Sequence, residues 1–189
     1  DAASQQVSGF PGAEFKSFAS REEAETAFRG AYAAYKGKDT KTVKRPLEEL
    51  ERMGVELDSI VVDAACSGVP GPMEYRGVSL RDGKQLFHQG PFPDGTNNVG
   101  EFLAIVHALA LLDRRGDGRT TVYSDSRNGI GWVRQKRCGT KLERTPANEP
   151  IFDLIARAER WLREHRWENP VRKWETEEWG EIPADFGRK

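Results

Sequence analysis

Two cysteines in 189 residues exclude a disulfide framework, and nothing around Cys66 or Cys138 has the spacing of a zinc site. No apolar run approaches the roughly 18–20 residues that cross a membrane, and no signal-peptide pattern opens the chain. Neither sign of charge dominates. With 29 Lys and Arg against 30 Asp and Glu, the formal net charge is -1, so bulk charge does not advertise a polyanionic partner. A basic patch is still possible locally: Arg134, Lys136, Arg137, Lys141 and Arg144 fall in one short stretch, which reads equally well as a solvated helix end. These absences leave a globular, membrane-free protein, expected in a reducing cytoplasm.

What the chain does carry is a carboxylate in the middle of an apolar strand, in Ser59-Ile60-Val61-Val62-Asp63-Ala64-Ala65. Burying Asp63 is costly unless it is paired or binds a metal. Three further acids stand out downstream: Glu101 after Thr96-Asn97-Asn98-Val99-Gly100, Asp125 in Tyr123-Ser124-Asp125-Ser126, and Asp185 near the end. Four separated carboxylates on strand and helix edges suit a site for two divalent cations, the chemistry of phosphodiester cleavage. Blander readings compete: Asp125 as a helix N-cap and Glu101 as a capping-box partner.

The spacing of apolar residues and turn signals predicts the organisation. In residues 11–30, a short strand from Glu14 to Phe18 precedes a helix opened by the capping box Ser20-Arg21-Glu22-Glu23 and closed by Gly30. That piece is too short to bury a core of its own, and a chain starting without Met is expected to be processed or trimmed. Residues 31–56, polar and lysine-rich, read as a linker containing a short helix from Pro46, with the main domain from about Leu57. There, strand 59–65 is followed by a hairpin, Met73 to Leu80 and Gln85 to Phe92, joined at Asp82-Gly83. A helix over about 98–114, strand 119–124, a helix from near Ser126, an amphipathic helix over 148–166 and a strand from Val171 to Glu175 complete it. The order βββαβααβ implies a mixed sheet flanked by helices.

The first acid with its Gly-x-Pro-Gly turn, then Gly95-Thr96-Asn97-Asn98-x-Gly-Glu101, then Tyr123-Ser124-Asp125-Ser126, resembles type 1 ribonuclease H. The closing Trp179-Gly180-Glu181-Ile182-Pro183-Ala184-Asp185-Phe186-Gly187-Arg188-Lys189 is similar to the end of its bacterial branch. The resemblance covers residues 57–189, while residues 5–30 look like the second half of the viroplasmin-like, hybrid-binding module that often precedes this domain. It implies an α/β, RNase H-like fold with a five-stranded mixed sheet and a partial N-terminal module in residues 1–30. The implied activity is endonucleolytic hydrolysis of the RNA strand of an RNA/DNA hybrid with two Mg2+ ions, Mn2+ being an expected substitute, by a monomeric catalytic domain that leaves 5′-phosphate and 3′-hydroxyl ends.

By motif position the resemblance makes Asp63, Glu101, Asp125 and Asp185 metal ligands, with Glu181 and Lys189 assisting catalysis. Main-chain groups at Cys66 and Gly68, with Asn97 and Arg127, would read the RNA. Thr96, Asn98, Thr140 and Lys141 would hold a DNA phosphate, and Trp132 would lie against a deoxyribose. Phe15 and Lys16 match the hybrid-binding module, where Ser17 replaces a second lysine. Val69 stands where the family's turn carries Asn, and Arg127 where other members have Gln. His88, His107 and His165 fall outside the motifs. Two other readings remain: a DNA-processing nuclease on the same fold, and a non-catalytic hybrid-binding protein.

Overall fold

A computed structural model describes residues 25, 26, 29 and 45–187. The chain divides into two units, 1–42 and 43–189, and the described structure is essentially that of the second. Its elements are α1 (Leu47–Arg52), β1 (Ser59–Cys66), β2 (Gly71–Ser79), β3 (Gln85–Gly95), α2 (Asn97–Arg114), β4 (Thr121–Ser124), α3 (Arg127–Arg134), α4 (Glu149–Glu164), β5 (Val171–Lys173) and α5 (Thr176–Trp179).

The strands form one five-stranded sheet in the order β3-β2-β1-β4-β5. β1 pairs antiparallel with β2 and parallel with β4, so the sheet is mixed, as the sequence order implied. β3 lies at the edge, which suits its Pro91 and Pro93, neither able to donate to a ladder. Strand alternation sends the residues of β1 to two faces. Ile60, Val62 and Ala64 pack under Phe102, Ile105 and Leu109 of α2 and Ile151, Ile155 and Leu162 of α4. Val61, with Val78 and Tyr123, packs against a second cluster of Leu50, Val55, Leu57, Trp174, Ile182 and Ala184.

Several element ends shift by a few residues from the sequence reading, and two differences bear on the packing. Leu50 and Val55 are buried in that second cluster, so the packed unit begins ahead of Leu57 and α1 belongs to it. The last strand stops at Lys173 because Trp174, fully buried, turns inward: its N–H donates to Ser124 O at 2.9 Å and its indole to Gly180 O at 2.8 Å. The single turn α5 follows, closed by backbone bonds from Glu178 and Trp179 to Glu175 O. No described helix is long and apolar enough to cross a membrane.

Candidate metal centre and nucleic-acid interface

The parallel register of β1 and β4 ends at Val62 opposite Ser124, so the next step along it brings Asp125 beside Asp63. Because β4 stops there, the N–H of Ala64 lacks a strand partner on that side; Glu101 supplies one, its Oε1 accepting from Ala64 N at 3.2 Å. Glu101 Oε2 accepts from the Ser124 hydroxyl, also at 3.2 Å. One carboxylate oxygen from each of Asp63, Glu101 and Asp125 lies within 4.8 Å of the others. Asp63 and Glu101 are each only 1% exposed, while Asp125 is half-buried.

This proximity has an electrostatic consequence. Burial first, then the neighbouring carboxylates of Asp63 and Asp125, hold the Glu101 carboxyl well above the usual carboxylate range. Such a cluster is relieved by a proton or by a cation, and oxygen-only donors of this kind fit a hard divalent ion. Both bland readings fall away. Ser126, not Asp125, caps α3, its Oγ accepting from Gly129 N at 3.0 Å. The Glu101 carboxylate reaches strand residues rather than its own helix end.

Glu101 reaches the sheet because glycine precedes it. A Cβ on Gly100 would stand 2.7 Å from Ala64 Cβ, so only glycine lets the start of α2 lie this close to β1. Gly129 plays the same part from the other side, its absent Cβ 3.2 Å from Glu101 Cβ.

The fourth predicted acid is not in the cluster of three. Asp185 sits half-buried in the tail, its Oδ2 accepting from Gly187 N at 2.8 Å. Ile182 and Ala184, nearly inaccessible, pin this segment on the face of the sheet that Asp63 also faces. Arg76, directly opposite Asp63 on β2, donates to Ala184 O at 2.8 Å and Asp185 O at 2.7 Å. Sequence reasoning missed Arg76, because its register with Asp63 is a tertiary fact. Glu181 is half-buried in the same tail; Lys189, like Phe15 and Lys16, lies outside the described residues.

Beside the acids runs a groove of about 740 Å3. Thr96, Asn98, Trp132, Thr140 and Lys141 all line it, with Val69 and Pro70 at one side. Asn98 and Glu101, three residues apart, stand on adjacent turns of one face of α2, so groove and acids adjoin. Asn98 Oδ1 also accepts from Asn128 Nδ2 at 3.3 Å, which ties α2 to α3. Trp132 is half-buried, edge-on to Phe102 at 6.3 Å between ring centroids. Asn97 and Arg127 are exposed at the starts of their helices. Gly68 lies in the exposed turn after β1, and the half-buried Cys66 thiol faces Gly68 O at 3.1 Å; burial pushes its pKa up, the opposite of a nucleophile.

Asn148, another residue the sequence did not reveal, organises the loop carrying Thr140 and Lys141. Buried, it accepts from Thr145 N at 2.8 Å and donates to Glu143 O at 2.9 Å and Asp94 O at 3.4 Å. The basic run disperses in space. Lys136 lies over Trp167 at 5.2 Å and Arg144 pairs with Glu149, while Lys141 alone of the five lines the groove. The histidines are engaged elsewhere: His107 stacks on Phe87 at 4.0 Å, His165 on Trp161 at 4.8 Å, and His88 contacts Glu74 at 2.8 Å.

Comparison with known proteins gives this geometry a family. The chain is 36% identical over 118 residues to a ribonuclease H of Dinoroseobacter shibae, spanning 56% of this chain and 73% of that protein. The chain belongs to the ribonuclease H family. A ribonuclease H of Neorickettsia sennetsu is 40% identical over 68 residues, 35% of this chain but only 44% of that protein's length. Residues 1–28 match the family described as the ribonuclease H1 N-terminal domain. Among solved structures, LC11-RNase H1 in complex with RNA/DNA hybrid is 24% identical with a TM-score of 0.40, covering 63% of this chain and 86% of that one.

Proposed function

We propose that this ribonuclease H family member is a metal-dependent endoribonuclease that hydrolyses the RNA strand of RNA/DNA hybrids. The observation that carries the reading is the Asp63-Glu101-Asp125 cluster, its first two acids buried and the third half-buried, set against a groove lined by Thr96, Asn98, Trp132, Thr140 and Lys141. Asp63, Glu101 and Asp125, joined by Asp185 from the tail, would hold two Mg2+ ions. Bound cations would supply an activated water and stabilise the departing 3′ oxygen, leaving 5′-phosphate and 3′-hydroxyl ends.

The chain's own groups would bind and orient the hybrid. Asn97, Arg127 and the main chain at Cys66 and Gly68 would meet 2′-hydroxyls on the RNA strand, the feature that separates RNA from DNA. Thr96, Asn98, Thr140 and Lys141 would hold a phosphate of the DNA strand, and the face of Trp132 a deoxyribose that tolerates no 2′-hydroxyl. Glu181 and Lys189 would serve proton traffic and product release. Residues 1–30, with Phe15 and Lys16, would form part of a hybrid-binding module joined by a linker. Val69, 88% exposed at the groove, offers no hydrogen bond where the family's turn carries Asn. Hybrid discrimination is therefore expected to be weaker than in relatives with that Asn.

The decisive experiment is cleavage of labelled RNA/DNA hybrid with Mg2+, beside duplex RNA and duplex DNA, with Asp125→Asn as control. Cutting confined to the RNA strand of the hybrid and lost in the variant supports the proposal. Cutting of duplex DNA would replace it with a DNA-processing nuclease, and tight hybrid binding without turnover with a binding protein.

A further inference from the structure

We infer that Arg76 is a positioning residue of the metal centre: it clamps the tail so that Asp185 is presented on the sheet face from which Asp63 projects. The inference rests on the proposed reading of Asp185 as the fourth ligand and goes beyond it by naming what holds that ligand in place.

Three observations support it. Arg76 is the register partner of Asp63 across the β1–β2 ladder, and paired residues project to the same face. Its guanidinium spends two donors on consecutive tail carbonyls, Ala184 O at 2.8 Å and Asp185 O at 2.7 Å, the second belonging to the acid itself. The same guanidinium lies 4.6 Å from the ring centre of Phe186, gripping the residue after the acid as well.

The tail needs such a clamp. Asp185 comes from neither strand nor helix; Ile182 and Ala184 hold the segment by burial, and the bonds from Asp185 N to Ile182 O and from Gly187 N to Asp185 Oδ2, both 2.8 Å, stay within the tail and do not orient it against the sheet. Two charge-assisted hydrogen bonds from a planar guanidinium fix the orientation of the peptide that carries Asp185. A lysine, with a single point charge, would reproduce the attraction without the fork geometry.

The test compares wild type, Arg76→Met, Arg76→Lys, Phe186→Ala and Asp185→Asn. In metal-free protein, amide hydrogen exchange over residues 182–187 is expected to accelerate about tenfold or more in Arg76→Met, less in Arg76→Lys and Phe186→Ala, with β1 amides unchanged. Binding of Mn2+, followed by calorimetry, is expected to weaken about 10-fold in Arg76→Met. In hybrid cleavage, the Mg2+ concentration for half-maximal rate should rise similarly while KM for hybrid stays constant. Combining Arg76→Met with Asp185→Asn should weaken Mn2+ binding no further than Asp185→Asn alone.

Unchanged tail exchange, or Mn2+ losses that add in the double variant, would overturn the inference. If Arg76→Met fails to fold, Phe186→Ala and Arg76→Lys decide it by the same readouts. If wild type does not cut hybrid, the proposed function fails separately, and the exchange and Mn2+ measurements still decide the clamp.

Discussion

Replacing Gly100 by alanine adds one methyl group at the tightest contact between α2 and the sheet. The new Cβ would stand 2.7 Å from Ala64 Cβ and 3.3 Å from both Cγ and Sδ of Met73. Ordinary carbon–carbon contact lies near 3.5–4.0 Å, so the start of α2 must retreat by about 1 Å. Alanine gains about 0.8–1.0 kcal/mol of helix propensity over glycine, while overpacking costs roughly 1–3 kcal/mol. The net loss is then about 0–2 kcal/mol, or at most about 8 °C in Tm for a protein of this size. Activity should suffer far more. Glu101, a proposed metal ligand, is the next residue, and a displacement of about 1 Å at a group in that role costs on the order of 10²-fold in rate. Gly131→Ala in α3 is the control, because a Cβ there meets nothing within 4 Å. It should gain about 0.5–1 kcal/mol and leave cleavage unchanged. Thermal melts and single-turnover hybrid cleavage measure both variants. Gly100→Ala retaining kcat within about twofold of wild type would refute the claim that this contact sets the position of Glu101.

Other expectations follow from the same geometry. The raised pKa of Glu101 means the folded, metal-free protein binds its proton more tightly than the unfolded chain does. Stability should therefore fall as pH rises from the unfolded carboxyl value, about 4.3, through the folded one. Glu101→Gln should lack that slope and be inactive, and a pH-independent stability difference between the two proteins would contradict it. Asn148→Ala strands buried loop groups and should cost about 1–3 kcal/mol; it should raise KM for hybrid through Lys141 more than it lowers kcat, as steady-state kinetics would show. Val69→Asn restores a hydrogen-bonding side chain at the groove and should tighten hybrid binding by about tenfold at most, measured in EDTA without turnover.

Much of this site is legible in the sequence because its acids are punctuated locally. Asp63 interrupts an apolar strand, Glu101 follows a Thr-Asn-Asn-x-Gly helix start, and Asp125 closes a strand. Apolar patterning and turn signals located all five strands and the long helices with small shifts at their ends, since burial imposes a pattern the chain must carry. The final strand was overrun because Val171 to Glu175 has strand composition throughout, while the inward turn of Trp174 depends on its edge-on packing against Tyr123 and Trp179. The basic run between Arg134 and Arg144 read equally as one patch or as a solvated helix end, and the fold turns Lys136 toward Trp167, Arg144 toward Glu149 and Lys141 toward the groove.

The sequence by itself determined which residue types the site has and which elements carry them, because secondary structure and its caps are set by neighbours a few positions apart. Only the tertiary structure decided what those residues do to one another. The register that sets Asp125 beside Asp63, the missing strand partner that Glu101 replaces at Ala64, and the hold of Arg76 on the peptide of Asp185 all join residues tens of positions apart. Such contacts depend on strand order and the depth to which a helix settles, and no local pattern encodes either.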